Sequence, residues 1–289
     1  MTRVKVGLAL AGGGARGAGH LGIVKALYEN HIFPEIFTGT SAGSICASML
    51  AFGYSPDKAL KEFESISSGM VDIAYGYLLK HVFSPTTVEG FVYGDVLEDK
   101  LELLFRGKSL SKLHSPLGIV ATDIDKGKQV IFSNLRQDQI DNSKVNDTDY
   151  IWLSDDAYLL SDVVRASSSM PPVFIPKIIK DMKLVDGGVT NNLPSDIAKA
   201  LGAEKVISID LGSANEVKTK GIIDIAHESI NILMSRVVDG NRNDFGLYLN
   251  PQIFDVTALD VHRIQECFDR GYAYGQSQID NIVKYLEGW

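Results

Sequence analysis

The first quarter of the chain alternates between short apolar runs and apolar residues at helical spacing. Residues 4–10 form an apolar run that ends in glycines, which is typical of a strand buried on both faces. Farther along, Leu21, Val24, Leu27 and Tyr28 recur at three- and four-residue intervals. That spacing predicts an amphipathic helix.

The same order of elements then repeats. A second apolar run, Ile36 to Gly39, leads into a helical pattern from Ile45 to Phe52, and Gly53 ends that helix. A strand, a glycine turn and a helix, twice in succession, indicate parallel strands with helices packed on their faces. We therefore expect an α/β fold of three layers, with a central, mostly parallel sheet flanked by helices.

The remainder of the chain is less regular. Residues 55–105 mix helical stretches with glycine and proline breaks, and residues 137–156 are polar with six Asp residues, which predicts a mobile surface loop. No repeat or linker divides the chain, so we expect one domain over 1–289, with 213–289 as its helical C-terminal part. The pattern predicts strands at 117–122, 129–133, 182–185, 205–211 and 246–249, and helices at 194–201, 222–238 and 260–286.

Composition narrows the class of protein. The chain has 289 residues, 45% of them hydrophobic and 22% charged, so it can bury a sizeable core. Its net charge of −8 disfavours nucleic-acid binding and strong attraction to an anionic bilayer. It has no apolar stretch long enough for a transmembrane helix, its first residues lead directly into a strand, and its two cysteines suggest a reducing compartment. We expect a cytoplasmic protein.

The strongest candidate for chemistry is Gly39-Thr40-Ser41-Ala42-Gly43, which matches G-x-S-x-G at a predicted strand-to-helix junction. A sharp turn there lifts the serine hydroxyl out at the start of a helix, and larger side chains two positions away would collide. The alternative is a small-residue turn in which the serine caps the helix. The strand-to-helix context favours a nucleophile.

A serine nucleophile needs a base, and Asp186 is the better candidate. It follows a predicted strand and precedes Gly187 and Gly188, so its carboxylate lies on a tight turn at a strand end. Taken alone, an ordinary Asp-Gly turn explains these residues better. The histidines after Ser41 do not emerge from glycine-rich loops that follow strands; they are His81, His114, His227 and His262.

A glycine-rich loop, residues 12–17, connects the first strand to the first helix. Gly12, Gly14 and Gly17 satisfy G-x-G-x-x-G, which can cradle a pyrophosphate. A dinucleotide site also needs an acidic residue at the end of the second strand, and that position carries the serine motif instead. The N–H groups of Gly12, Gly13 and Gly14 serve equally well as an oxyanion hole, so we interpret the loop as anion stabilisation for acyl transfer.

Together with residues 166–171, A-S-S-S-M-P, these motifs make the chain resemble bacterial members of the patatin-like phospholipase family. G-G-G-x-R-G follows the first strand, G-x-S-x-G follows the second, A-S-x-x-x-P precedes a strand, and D-G-G comes last. The resemblance covers residues 4–212 well and the C-terminal third loosely.

The resemblance implies a patatin-like fold and a Ser-Asp dyad in place of a triad, with Ser41 as nucleophile and Asp186 as base. It also implies oxyanion donors at residues 12–14, supported by Arg16, and hydrolysis of acyl esters of lipids without a metal or cofactor. The substrate would be a lipid or another acyl ester, with transient contact to a membrane surface. Because a free aspartate is a weak base, we expect partial burial to raise the pKa of Asp186.

Other interpretations stay open. The chain could be a non-catalytic or regulatory lipid-binding protein, a general carboxylesterase or thioesterase, or a nucleotide-binding enzyme that uses the glycine loop. The apolar, glycine-broken stretch 65–93 is either a lid or core. We expect His20 to pack or to bind a helix terminus and Cys46 to lie in the core. Residues 167–169 either support Asp186 or are small residues at a helix crossing.

Overall fold

Strands and helices alternate through the computed structural model, which describes residues 4–78, 90, 92–212, 221–240 and 246–288. The strands are β1 (Val6–Leu10), β2 (Ile36–Thr40), β3 (Leu117–Asp123), β4 (Lys128–Ser133), β5 (Ile151–Leu153), β6 (Lys177–Ile179), β7 (Met182–Asp186), β8 (Lys205–Ile209) and β9 (Leu247–Leu249). The helices are α1 (Ala18–Glu29), α2 (Ala42–Ala51), α3 (Pro56–Leu78), α4 (Asp95–Phe105), α5 (Leu160–Ser167), α6 (Ser195–Ala200), α7 (Ile222–Gly240), α8 (Ile264–Ser277) and α9 (Ile279–Glu287).

The central sheet is mostly parallel, as the alternation of strands and helices predicts. Its strand order is β5-β4-β3-β2-β1-β8-β9, and β8, β1, β2 and β3 run parallel to one another. Successive side chains of a strand point to opposite faces. Leu8 and Leu10 of β1 therefore pack with α1 and α2 on one face, whereas Ala9 packs with α6 on the other. Helices cover both faces, and the predicted α/β fold is confirmed.

Strands β2 and β7 meet end to end along one edge of β3. Strand β4 pairs with residues 118–123 of β3 and so occupies the opposite edge. On the remaining edge, β2 pairs up to Val120, and β7, which runs antiparallel, pairs from Ala121 onward. The carboxyl ends of β2 and β7 therefore face each other, and the residue after Thr40 comes next to Asp186.

Several segments differ from the predictions. Residues 137–156 are more than a loop, because they contain two short 3-10 turns and strand β5, which pairs parallel with β4. The helix predicted over 260–286 is divided at Gln278 into α8 and α9. Helix α5 and strand β6 were not predicted, because elements of eight and three residues carry little periodic signal.

The stretch 65–93, predicted as a lid or as core, begins within α3. Its residues 79–89 and 91 lie outside the described residues. A lid in this stretch therefore stays a prediction.

Helix α8, from the C-terminal third, packs closely against α1. A Cβ on Gly22 would lie 2.1 Å from the carbonyl oxygen of Phe268, and one on Gly271 would lie 2.2 Å from the carbonyl oxygen of Gly19. Only a hydrogen atom fits between backbones at this separation. This contact ties the C-terminal third to the helical layer beside β1; that 1–289 form one domain stays a prediction.

Replacing Gly22 with alanine should lower the free energy of unfolding by about 1–3 kcal/mol, because the methyl group overlaps a backbone carbonyl that cannot rotate away. Urea denaturation followed by circular dichroism measures the effect. Gly221→Ala is the matched control, because a methyl group there meets no atom within 4 Å. Equal stability of the two variants would contradict the close packing of α1 on α8.

Candidate active site

Ser41 lies on a tight turn between β2 and α2. Its φ is 54° and its ψ is −127°, a conformation that residues other than glycine rarely adopt. Its carbonyl accepts hydrogen bonds from the amides of Ser44 at 2.8 Å and Ile45 at 3.3 Å, and its own amide donates to Ser167 Oγ at 3.0 Å. These bonds hold the strained turn, and the side chain stays partly exposed at the N-terminus of α2.

Two glycines allow the chain to pass through this turn. A Cβ on Gly39 would lie 2.3 Å from the carbonyl oxygen of Gly43, and a Cβ on Gly43 would lie 2.2 Å from the carbonyl oxygen of Leu10. Side chains at either position would collide with backbone, which is the steric reason for the G-x-S-x-G spacing.

Asp186, the last residue of β7, is completely buried beside Ser41. Its Oδ1 accepts a hydrogen bond from the Gly188 amide at 2.8 Å. The Ser41 hydroxyl is close enough to act as a donor that lowers the pKa of Asp186, yet Oδ2 has no partner with full hydrogen-bond geometry. The contact between the two side chains is therefore loose, as is common for catalytic pairs without substrate.

Burial dominates the electrostatics of Asp186. Removal from water raises the pKa of the carboxyl to about 6, while hydrogen bonds from Ser41 and Gly188 lower it by less. The expected direction of the pKa shift is confirmed, although burial is complete rather than partial. At neutral pH the carboxyl is mostly ionised and more basic than an exposed aspartate.

The turn after Asp186 is as crowded as the turn at Ser41. A Cβ on Gly187 would lie 2.1 Å from the carbonyl oxygen of Val120, and one on Gly188 would lie 1.7 Å from Cε of Met234 in α7. The carbonyl of Asp186 accepts a hydrogen bond from Thr122 Oγ1 at 3.0 Å. The two glycines thus let β7 end against β3 and beneath α7.

The glycine loop passes directly beside Ser41. A Cβ on Gly12 would lie 3.2 Å from Cβ of Ser41, and one on Gly17 would lie 2.9 Å from Cβ of Ala42. The amide of Gly12 donates to Oδ1 of Asn192 at 3.1 Å and to the Asn192 carbonyl at 3.3 Å. That amide is therefore engaged within the fold, and the role of residues 12–14 as oxyanion donors stays a prediction.

Gly13 and Gly14 supply the available N–H groups of the loop. Within the described part of the chain, neither amide has a hydrogen-bond acceptor. Arg16 is buried and donates from Nε to the Gly13 carbonyl at 3.2 Å and from Nη1 to the Gly212 carbonyl at 2.6 Å. Arg16 therefore supports the loop through the Gly13 carbonyl and ties it to the Gly212 carbonyl.

A second buried arginine lies behind Asp186. Arg165 of α5 donates to the Ser169 hydroxyl, and the carbonyl of Ser169 accepts from the Asp186 amide at 3.0 Å. Burial lowers the pKa of Arg165 to about 10, since Glu98 and Asp95 only partly compensate. Of the three predicted serines, Ser167 binds Ser41 and Ser169 binds Asp186 and Arg165.

Sequence reasoning missed Arg165 and Asn192. Arg165 could have been found, because a charged residue within the apolar pattern of α5 indicates a specific contact. No local sequence pattern indicates Asn192. His20 and Cys46 are both buried, as expected. His20 Nε2 lies 2.8 Å from the Ala11 carbonyl oxygen.

The described residues contain no group of three or more His, Cys, Asp or Glu side chains arranged to hold a metal ion. None of their helices combines the length and hydrophobicity needed to cross a membrane.

The chain matches a known family model and known proteins. The model described as patatin-like phospholipase matches residues 8–199. Patatin-like phospholipase domain-containing protein 6 of mouse is 26% identical over 305 residues, which cover 96% of this chain and 21% of that protein. The chain spans about a fifth of the length of the curated relatives it matches first.

Two solved structures have a similar fold. VipD from Legionella pneumophila superposes with a TM-score of 0.52 at 15% identity, covering 96% of this chain and 67% of VipD. Human GIVD cytosolic phospholipase A2, solved with methyl gamma-linolenyl fluorophosphonate, superposes with a TM-score of 0.51 at 11% identity, covering 99% of this chain and 59% of that one. At these identities the similarity is one of fold.

Because the pKa of Asp186 is raised in the folded protein, ionisation of its carboxyl lowers the free energy of unfolding. Between the unfolded pKa near 4 and the folded pKa of about 6, the folded protein holds a proton that the unfolded chain releases, so stability falls as pH rises. Asp186→Asn should therefore be more stable than the wild type by about 2–3 kcal/mol at pH 8, with a much smaller difference near pH 4. Urea denaturation at both pH values measures this, and a difference independent of pH would contradict the burial of an ionisable carboxyl.

Proposed function

The chain belongs to the patatin-like phospholipase family, and we propose that it is a serine hydrolase that cleaves the acyl esters of lipids. Ser41 is the nucleophile and Asp186 its base. The observation that carries the proposal is the meeting of a strained, partly exposed serine with a buried carboxyl of raised pKa, beside the glycine loop at Gly12.

The first half of the reaction forms an acyl-enzyme. Asp186 accepts the proton of Ser41 Oγ as this oxygen bonds to the ester carbonyl carbon, and the carbonyl oxygen becomes an oxyanion. The amides of Gly13 and Gly14 donate to that oxyanion. The tetrahedral intermediate then collapses, and the departing alcohol takes the proton from Asp186.

The second half releases the fatty acid. Asp186, now ionised again, accepts a proton from water as the water oxygen attacks the acyl carbon. Collapse of this intermediate breaks the bond to Ser41 Oγ, which regains its proton from Asp186. The same carboxyl thus acts as base and acid in both halves, and a pKa of about 6 suits both roles near neutral pH.

The elements around the dyad favour negative charge on the substrate oxygen. The N-terminus of α2 begins directly after Ser41, so the helix dipole points its positive end at the reacting oxygen. Arg16 holds the Gly13 carbonyl, and the N–H in the same peptide unit, that of Gly14, points the opposite way because the peptide is planar. The arginine thereby helps to orient a donor without touching the substrate.

A nucleotide-binding function fits these contacts less well. A pyrophosphate site needs the first amides of the glycine loop, and the Gly12 amide is bound to Asn192. The particular ester, a cytoplasmic location, transient contact with a membrane surface and the absence of nucleic-acid partners stay predictions. A non-catalytic lipid-binding role is tested together with catalysis below.

Ser41→Ala should lower ester hydrolysis by about a thousandfold or more and abolish covalent labelling by a fluorophosphonate, because both need the hydroxyl. Mass spectrometry of fatty acids released from a panel of phospholipids, lysophospholipids, glycerides and short esters measures turnover and identifies the substrate. Ser277→Ala, at an exposed serine of α8, is the matched control and should keep full activity. Equal turnover by the Ser41 variant and the wild type, or a wild type inactive on the whole panel, would reject the proposal.

A further inference from the structure

The peptide unit between Ala11 and Gly12 is held from both ends. Its carbonyl oxygen lies 2.8 Å from His20 Nε2, and its N–H donates to Asn192 Oδ1 at 3.1 Å. A carbonyl oxygen only accepts, so Nε2 of His20 carries the proton. Burial lowers the pKa of His20 to about 4, which keeps the ring neutral and in this donor role at neutral pH.

In the peptides that follow, hydrogen bonds engage the Gly13 carbonyl and the Ala15 amide, whereas the amides of Gly13 and Gly14 stay available. Arg16 Nε holds the Gly13 carbonyl, and the Ala15 amide donates to the Ala258 carbonyl at 2.8 Å. The Gly13 N–H lies between the Ala11–Gly12 peptide and the Gly13 carbonyl, and the Gly14 N–H lies between the Gly13 carbonyl and the Ala15 amide. Three glycines in a row have wide conformational freedom, so the direction of these two N–H groups depends on how the ends of the loop are fixed.

Asn192 is placed between the glycine loop and the turn of Asp186. A Cβ on Gly12 would lie 2.7 Å from Asn192 Oδ1, and a Cβ on Gly188 would lie 2.9 Å from the same atom. The side chain is 8% exposed and thus almost fully enclosed. One amide oxygen therefore contacts both the loop beside Ser41 and the turn that binds Asp186 Oδ1.

The backbone on the N-terminal side of Asn192 is itself fixed. The amide of Asn191 donates to the Gly187 carbonyl at 2.8 Å, and the Asn191 carbonyl accepts from Thr40 Oγ1 at 2.8 Å. Thr40 directly precedes Ser41, so this short segment is tied to the strand that carries the nucleophile. Asn192 is thus a rigid support rather than a side chain that adapts to the loop.

We propose that Asn192 and His20 are positioning residues that act together through the Ala11–Gly12 peptide. By holding its N–H and its carbonyl, they aim the amides of Gly13 and Gly14 at the oxyanion. This inference rests on the proposed hydrolase function. Neither residue touches the substrate, and both act only through the loop.

Loss of this support should appear in kcat rather than in KM. Removal of one whole oxyanion donor lowers kcat by about 10²–10³-fold, so misaiming donors that are still present should lower it by about 10–100-fold. Donors aimed at the oxyanion contribute little to binding of the ground-state ester, so KM should change by less than about twofold.

The experiment compares Asn192→Ala with Asn191→Ala on the substrate identified from the lipid panel. The control removes the same amide from the neighbouring residue, whose side chain binds Asp196 Oδ1 at 3.0 Å instead of the loop. Each variant loses one side-chain hydrogen bond, which is buried for Asn192 and partly buried for Asn191, and the two should show similar losses in Tm. Only Asn192→Ala should lose kcat, and it should also weaken inhibition by a trifluoromethyl ketone, whose hemiketal oxyanion needs the aimed donors.

A double-mutant cycle with His20→Leu tests whether the two residues act together. If both act on one peptide, the double variant should lose little more kcat than the worse single variant. Independent, multiplicative effects would overturn the joint role. If Asn192→Ala fails to fold, Asn192→Ser is measured by the same criteria.

The inference and the proposed function fail in different ways. An inactive wild-type protein rejects the proposed function. An active wild type in which Asn192→Ala and Asn191→Ala have equal kcat leaves the function intact and overturns the positioning role. Equal losses of kcat and Tm in both variants overturn it as well, because they indicate a general loss of structure.

Discussion

The structure depends on two strands that share one edge of β3. Strand β2 pairs with this edge up to Val120, and β7, running the opposite way, takes over at Ala121. Each strand ends where the other ends, so the turn at Ser41 and the carboxyl of Asp186 face each other without a connecting loop. Had β7 run parallel to β2, its carboxyl end would point away from Ser41. The antiparallel direction of one strand in a mostly parallel sheet is therefore what brings the two side chains together.

This arrangement is unfavourable for folding and useful for chemistry. A positive φ at Ser41 costs on the order of 1–3 kcal/mol, and an ionised carboxyl at full burial is destabilising as well. The core around β1 and its two helical layers offsets these terms, and glycines at the tightest contacts avoid further collisions. The supporting network also binds the Gly12 amide and the Gly13 carbonyl. Within the described part of the chain, Oδ2 of Asp186 has no partner with full hydrogen-bond geometry, and the amides of Gly13 and Gly14 have no acceptor.

Local patterns were sufficient for the elements and motifs in the first quarter of the chain. Periodicity predicted β1, α1, β2 and α2 in the correct order, and short motifs pointed to Ser41 and Asp186. Local patterns could not predict the direction of β7, because the sequence of a strand of three to five residues does not indicate which way it runs in the sheet. Nor could they reveal that Gly12 binds Asn192, since the partners are 180 residues apart and meet only in the folded chain. Strand β5 was missed because its apolar run is only three residues long and lies within a polar stretch.

Removal of the Ser41 proton by the buried carboxyl of Asp186 makes the reactivity of Ser41 depend on pH. The measurement is the rate at which a fluorophosphonate reacts with Ser41 at different pH values, because this reaction needs no turnover and no product release. The rate should fall on the acid side with a midpoint near pH 6, where Asp186 becomes protonated and can no longer accept a proton. A midpoint near the ordinary aspartate value of about 4, or a rate independent of pH, would contradict the account.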